Sequence, residues 1–82
     1  MIPRIKKLEP LSDFQLYVEF DDDRKVIYDV KEDICDVAAF QQLVSEYGLF
    51  SQARLDSSRT CVYWNDEIDL ASDTIYEYGR TV

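Results

Sequence analysis

The sequence predicts an α+β fold, a small antiparallel sheet of order β-β-β-α-β-β-α with helices packed on one face. The first observation behind this class is the stretch from Phe14 to Phe20, where apolar and polar side chains alternate as in a half-buried strand. The second is a set of apolar residues at the i, i+3, i+4 and i+7 spacing of one helix face: Phe40, Leu43, Val44 and Tyr47.

Turn residues separate the predicted strands. Residues 21–23 are all aspartate and lie between two alternating runs, which predicts a hairpin because aspartates accept hydrogen bonds from the N–H groups of turns. Residues 57–59 join the last two strands, and Pro3 suits an edge strand. The five strands are expected over residues 2–8, 14–20, 25–30, 52–56 and 60–64.

Two helices are expected from their capping residues. Asp36 is placed to cap a helix over residues 37–47, and Gly48 fits the position past its end, where a positive φ is needed. A short closing helix is expected to start with Ser72 as its N-cap and to end just before Gly79.

Length and composition fit one folded domain. The chain has 82 residues, of which 46% are hydrophobic and 13% aromatic, and this composition is typical of a folded rather than a disordered protein. No linker, repeat or low-complexity tract divides it, so we expect a single domain over residues 1–82.

The net charge of −8 is unevenly distributed. Residues 1–31 carry six basic and seven acidic side chains, whereas residues 32–82 carry three and ten. An acidic field repels phosphate backbones, so we expect no direct contact with nucleic acid. The same field would speed encounter with a basic protein, and the alternative is that the charge serves only solubility.

Several classes of chemistry lack their usual residues. The chain has no histidine, the commonest general base and zinc ligand, and its two cysteines, Cys35 and Cys61, form no CxxC motif. We therefore expect no cofactor and no enzymatic activity. Residues 1–7 have no apolar run after their charges, and no segment approaches the ~18 apolar residues of a membrane span. A cytoplasmic protein without membrane contact is expected.

Short motifs along the whole chain resemble those of a small bacterial family, domain-of-unknown-function family 2442. The strongest is a C-terminal signature, Val62-Tyr63-Trp64-x-x-x-Ile68-Asp69-Leu70-x-x-Asp73-Thr74-Ile75-Tyr76. Earlier matches are Pro3-Arg4-Ile5, Phe14-x-Leu16-x-Val18-x-Phe20, Tyr28-Asp29-Val30 and Leu49-Phe50 leading into Ala53-Arg54-Leu55-Asp56. In two turns where the family often has glycine, this chain has Asp22-Asp23 and Asp66-Glu67.

The resemblance implies little about activity, because none is established for the family. Some members are fused to a helix-turn-helix domain, and others are encoded beside another small protein in an arrangement like that of toxin–antitoxin pairs. The sequence ends at Val82, directly after the signature, so we expect no helix-turn-helix extension.

Acidic and aromatic residues of the signature are candidates for a site. Oxygen ligands from Asp66, Glu67, Asp69 and Asp73 suit magnesium or calcium, and paired carboxylates suit acid–base catalysis. The alternative, which we favour, is that they serve turns and the helix N-terminus. Trp64 and Tyr76 are either binding anchors or structural residues. A core position is favoured for Trp64, with Asp69 as the acceptor of its indole N–H.

The predicted partner-binding residues are Tyr17, Tyr63, Asp66 and Glu67. Both tyrosines alternate with core-facing residues, so we expect them together on the open face of the sheet. This favours a non-enzymatic protein-interaction module, the acidic antitoxin-like partner of a small basic protein. The alternatives are a homodimer face, a transcription-associated domain that senses a ligand or oligomerises, and a metal-dependent enzyme using the carboxylates.

Overall fold

The strands of this chain form two antiparallel sheets, with helices between and beside them. The computed structural model describes residues 2–82. Its elements are β1 (Ile5–Leu11), β2 (Gln15–Phe20), β3 (Lys25–Asp29), α1 (Lys31–Asp36), α2 (Gln42–Ser45), β4 (Arg54–Leu55), β5 (Cys61–Asn65), β6 (Ile68–Ala71), α3 (Ser72–Tyr78) and β7 (Arg80–Thr81). Single 3₁₀ turns occupy Ala38–Gln41 and Phe50–Gln52.

The α+β class is confirmed, and the strands are divided between two sheets instead of joined in one. The first sheet has the order β1-β2-β3-β7, and the second has the order β4-β5-β6. All of the pairings are antiparallel. Two strands were not predicted: β6 follows the turn after Trp64, and the two-residue β7 pairs with β3 after the last helix.

The two sheets meet at the turn between β4 and β5. The Ile5 N–H of β1 donates to the Arg59 carbonyl of this turn at 2.8 Å. Arg59 has a φ of 61°, a left-handed conformation. No strand ladder joins β1 to the second sheet among the described residues, so the strands form two sheets where one was predicted.

The aspartate hairpin between β2 and β3 is present, as the sequence predicted. The Asp23 N–H donates to the Phe20 carbonyl at 2.9 Å, and Asp22 Oδ1 accepts the Arg24 N–H at 3.0 Å. Asp23 adopts a φ of 70°, a conformation that aspartate tolerates better than most residues. It fills the role that glycine has in the Asp-Gly version of this turn.

The predicted helix over residues 37–47 is wrong in its extent. Asp36 is the last residue of α1 instead of a helix cap, because Val37 is extended (φ −118°, ψ 116°). After α2, Glu46 is also extended, so Tyr47 leaves the helical stripe and is fully exposed. Gly48 does adopt the positive φ expected of it, 79°.

The inward faces of both sheets share one core. Its buried members alternate along the strands, and the helical segments add four more aromatic or aliphatic side chains: Ile5, Leu16, Val18, Phe20, Val26, Tyr28, Val30, Phe40, Leu43, Phe50, Val62, Trp64, Ile68, Leu70 and Ile75. Trp64 lies at its centre, 5.9 Å from the ring of Phe50 and 6.1 Å from that of Phe40. Its indole N–H donates to the Phe50 carbonyl at 3.0 Å. The predicted acceptor, Asp69, is wrong, because Asp69 points outward from β6.

The start of α3 is fixed to the N-terminal segment. Ser72 is fully buried, and its hydroxyl donates to the Pro3 carbonyl at 2.6 Å while its N–H donates to the Thr60 carbonyl at 2.9 Å. Ser72 is thus the first residue of the helix and not its N-cap, a position held by Ala71. Gly79 ends the helix where an added Cβ would lie 2.6 Å from the Ile75 carbonyl oxygen.

Replacing Trp64 should separate its packing role from its hydrogen bond. Trp64→Ala removes the ring that contacts two core aromatics, and we expect a loss of about 3–5 kcal/mol in the free energy of unfolding. Trp64→Phe keeps an aromatic ring and removes the donor to the Phe50 carbonyl. This variant should lose less of the free energy of unfolding than Trp64→Ala does. Thermal and chemical denaturation of both variants, with exposed Tyr47→Ala as control, checks this. An unchanged midpoint for Trp64→Ala would contradict a core role.

Candidate functional site

The two tyrosines predicted to share an open sheet face lie on different sheets. Tyr17 is on the outward face of β1-β2-β3-β7, between Glu9 and Ile27 in the strand register. Tyr63 is on the outward face of β4-β5-β6. Because both inward faces meet in one core, these two outward faces point away from it separately. The prediction of one shared face is therefore wrong.

Tyr63 lies at the centre of a small charged surface. In the register of its sheet, Tyr63 is opposite Arg54 of β4 and Asp69 of β6, and both of these neighbours are exposed. The turn after β5 adds Asp66 and Glu67, which are also exposed. We call this surface, consisting of Arg54, Tyr63, Asp66, Glu67 and Asp69, the Tyr63 face.

Side-chain hydrogen bonds hold the acidic turn of the Tyr63 face in place. Asn65 Oδ1 accepts the N–H groups of Glu67 and Ile68 at 2.9 and 3.0 Å. Gln42 of α2 donates from Nε2 to Glu67 at 2.9 Å and accepts from Asn65 at 3.2 Å. Three of the predicted partner-binding residues, Tyr63, Asp66 and Glu67, are thereby brought to one sheet.

The carboxylates considered for a metal do not converge. Asp69 points out from β6, whereas Asp73 lies in the first turn of α3 and its Oδ1 accepts the Thr74 N–H at 2.9 Å. Within residues 2–82, no group of three or more histidine, cysteine, aspartate or glutamate side chains is arranged to hold a metal ion. Asp73 therefore lies apart from Asp66, Glu67 and Asp69, which belong to the Tyr63 face.

The carboxylates that form ion pairs within residues 2–82 are confined to one part of the sequence. Lys6 pairs with Asp23 at 2.6 Å and Arg59 with Asp21 at 2.9 Å. Lys31 pairs with Asp13 at 2.7 Å and approaches Asp29 at 3.9 Å. All four carboxylates belong to residues 1–31. None of the ten carboxylates of residues 32–82 forms an ion pair with any cation in the described part of the chain.

A groove of about 1310 Å³ runs beside α3. Tyr76 forms its floor, with its ring edge against Phe20 at 4.9 Å and the Arg24 guanidinium over its face at 4.6 Å. The Tyr76 hydroxyl donates to Asp22 at 2.6 Å, and this bond raises the pKa of Tyr76 and lowers that of Asp22. The signature had singled out Tyr76, but nothing in the sequence indicated Arg24.

A smaller cleft of about 410 Å³ lies between α1, β3 and α3. Its wall includes Tyr28, whose hydroxyl donates to Asp33 at 2.6 Å. Burial and this hydrogen bond raise the pKa of Tyr28, so the phenol stays protonated at neutral pH. Glu32 and Asp36 line the same cleft.

The cysteines lie apart from both clefts. Cys61 is half-buried on β5 and Cys35 is exposed on α1, and both are free thiols. Burial raises the pKa of Cys61, which keeps it in the less reactive thiol form at neutral pH.

The fold and these surfaces define a small α+β domain with two uncovered sheet faces and an open groove. The chain belongs to the family described as "Protein of unknown function (DUF2442)", whose pattern it matches over residues 5–81. The resemblance seen in the sequence motifs is thus confirmed over nearly the whole chain. Neither a curated protein nor a solved structure matches this chain significantly.

No helix within residues 2–82 has the length and apolar character needed to cross a bilayer.

Asp56 organises the turn between β4 and β5, where the two sheets meet. Ser58 and Thr60 of this turn line the groove beside α3. Asp56 Oδ1 accepts the N–H groups of Thr60 and Cys61 at 3.1 and 3.2 Å, and its Oδ2 accepts the Ser58 hydroxyl at 2.8 Å. The Ser58 hydroxyl and these backbone donors lower the pKa of Asp56.

Asp56→Asn should therefore lower the melting temperature at neutral pH. A lowered folded-state pKa contributes stability above the unfolded value of about 3.9, and that contribution is lost as pH falls through the folded pKa. We expect the gap between the wild-type and variant melting temperatures to narrow below about pH 4. Asp66→Asn, the same change on an exposed turn, is the control. A gap that is independent of pH would contradict this role for the ionised carboxylate.

Proposed function

We propose that this protein is a non-enzymatic interaction module that binds a basic protein through its acidic surface. The observation that carries the proposal is that, within residues 2–82, none of the ten carboxylates of residues 32–82 forms an ion pair, whereas four of the seven carboxylates of residues 1–31 do. Unpaired carboxylates repel one another, and a basic partner relieves that repulsion on binding.

The Tyr63 face is the part of this surface best suited to contact. Tyr63 supplies a large ring at the centre of an uncovered sheet, and tyrosine is enriched among the residues that dominate binding energy. Asp69 on one neighbouring strand and Asp66 and Glu67 in the following turn give its rim three exposed negative charges against the single positive charge of Arg54, as in an interface with an apolar centre and a polar rim.

An antitoxin-like role is a more specific version of this proposal. It would make the basic partner a small protein encoded beside this one, as the family resemblance implies. The absence of histidine and the separation of the acidic side chains support binding over catalysis.

The rim charges and the central ring should act on different rate constants. With a basic protein recovered by pull-down from native lysate, Asp66→Asn combined with Glu67→Gln should slow association and reduce its salt dependence. Tyr63→Ala should mainly speed dissociation, by about 1–2 kcal/mol for a hot-spot residue. Surface-binding kinetics at low and high salt measure both effects.

Two control variants make the same kinds of change outside the Tyr63 face. Glu32→Gln combined with Asp36→Asn makes the same change in net charge away from the Tyr63 face, and Tyr17→Ala removes the equivalent ring from the other sheet. Both control variants should change the association and dissociation rate constants less than the corresponding variants of the Tyr63 face do. Recovery of this protein alone, or binding that does not respond to salt, would overturn the proposed function.

A further inference from the structure

The groove beside α3 combines an apolar floor with unpaired carboxylates. Ile2 and Pro3 line it from the N-terminal segment, and Phe20 and Tyr76 line it from below. Ile2 is 60% exposed although it is apolar. The Tyr76 hydroxyl is already bonded to Asp22 and Arg24 covers one face of the ring, so the apolar surface left in the groove is the rest of this half-buried ring with Ile2 and Pro3.

The α3 wall of the groove is acidic. Asp73 and Glu77 lie four residues apart on the helix, line the groove together with Tyr76, and form no ion pair within residues 2–82. The opposite walls carry Arg4 and Arg24, and the Arg24 guanidinium is already stacked on the Tyr76 ring. In a chain of net charge −8, the accessible acidic wall favours a cationic occupant over an anionic one.

The groove continues from the Tyr63 face. Tyr63 pairs with Asp69, and the next outward pair along the same strands is Cys61 with Ala71. Thr60 and Asp73, which lie just beyond that pair in sequence, line the groove. At about 3.3 Å per residue, three strand residues separate Tyr63 from the groove by about 10 Å, so one extended segment can contact both.

We propose that the groove binds an extended segment of the basic partner that places an apolar side chain between lysine or arginine residues. The apolar side chain packs on Tyr76 and Ile2, and the flanking cation lies beside Asp73 and Glu77. This inference rests on the proposed function and adds a second contact site, with a defined sequence chemistry, to the Tyr63 face.

The test uses a defined peptide, acetyl-Lys-Phe-Lys-amide, titrated into the ¹⁵N-labelled protein at low salt. We expect amide shifts to concentrate at Ile2 and along α3. Asp73→Asn combined with Glu77→Gln should weaken binding about fivefold, the scale of two exposed ion pairs. Ile2→Ser should weaken it several-fold through lost apolar contact.

Each variant has a matched control. Glu32→Gln combined with Asp36→Asn makes the same charge change outside the groove, and Val44→Ser removes an apolar side chain that is similarly exposed, at 58%. Both should change affinity less than about twofold. The peptide acetyl-Lys-Ser-Lys-amide should bind more weakly, and acetyl-Glu-Phe-Glu-amide should not bind in the groove.

Equal weakening by both charge variants, shifts elsewhere on the protein, or preferential binding of the acidic peptide at Arg4 and Arg24 would overturn this assignment. The first two outcomes leave the proposed function standing, because salt-dependent binding governed by the Tyr63 face is measured separately. If the native basic partner is not found and no cationic peptide binds anywhere, both proposals fail together.

Discussion

The rest of the structure depends on the joint that Arg59 forms between the two sheets. Its carbonyl accepts the Ile5 N–H of β1 at 2.8 Å, and its guanidinium makes two 2.9 Å bonds to Asp21 at the end of β2. Bidentate pairs of this kind fix geometry as well as energy. Asp56 holds the turn that presents Arg59, so one short segment connects the edge of the first sheet to the second and allows both to enclose one core.

Aspartate serves two opposite purposes in the chain. Near the N-terminus it organises the structure: Asp21 and Asp23 pair with cations, and Asp22 accepts the Tyr76 hydroxyl. Farther along, Asp66 and Asp69 are exposed and form no ion pair within the described residues. Leaving such groups unpaired costs self-repulsion but retains a field that attracts cationic partners.

Local patterns predicted five of the seven strands and could not predict how they are arranged. The alternation along β2 and β5 identifies each buried face because each sheet has one side in the core. Alternation does not reveal which sheet a strand joins. For this reason the prediction that Tyr17 and Tyr63 share one open sheet face is wrong. The deciding contact, Ile5 with Arg59, joins residues far apart in sequence. The helical stripe failed for a local reason, the extended backbone at Glu46, which ends α2 before Tyr47.

The groove could not be predicted because its walls come from four separate segments, which are linked to one another by hydrogen bonds between residues far apart in sequence. The Ser72 hydroxyl bond to Pro3 sets the distance between α3 and the N-terminal wall, and the Tyr76 bond to Asp22 fixes the floor to the β2–β3 hairpin. A surface held in this way loses little conformational freedom when it binds, so ordering costs fall mainly on the partner segment.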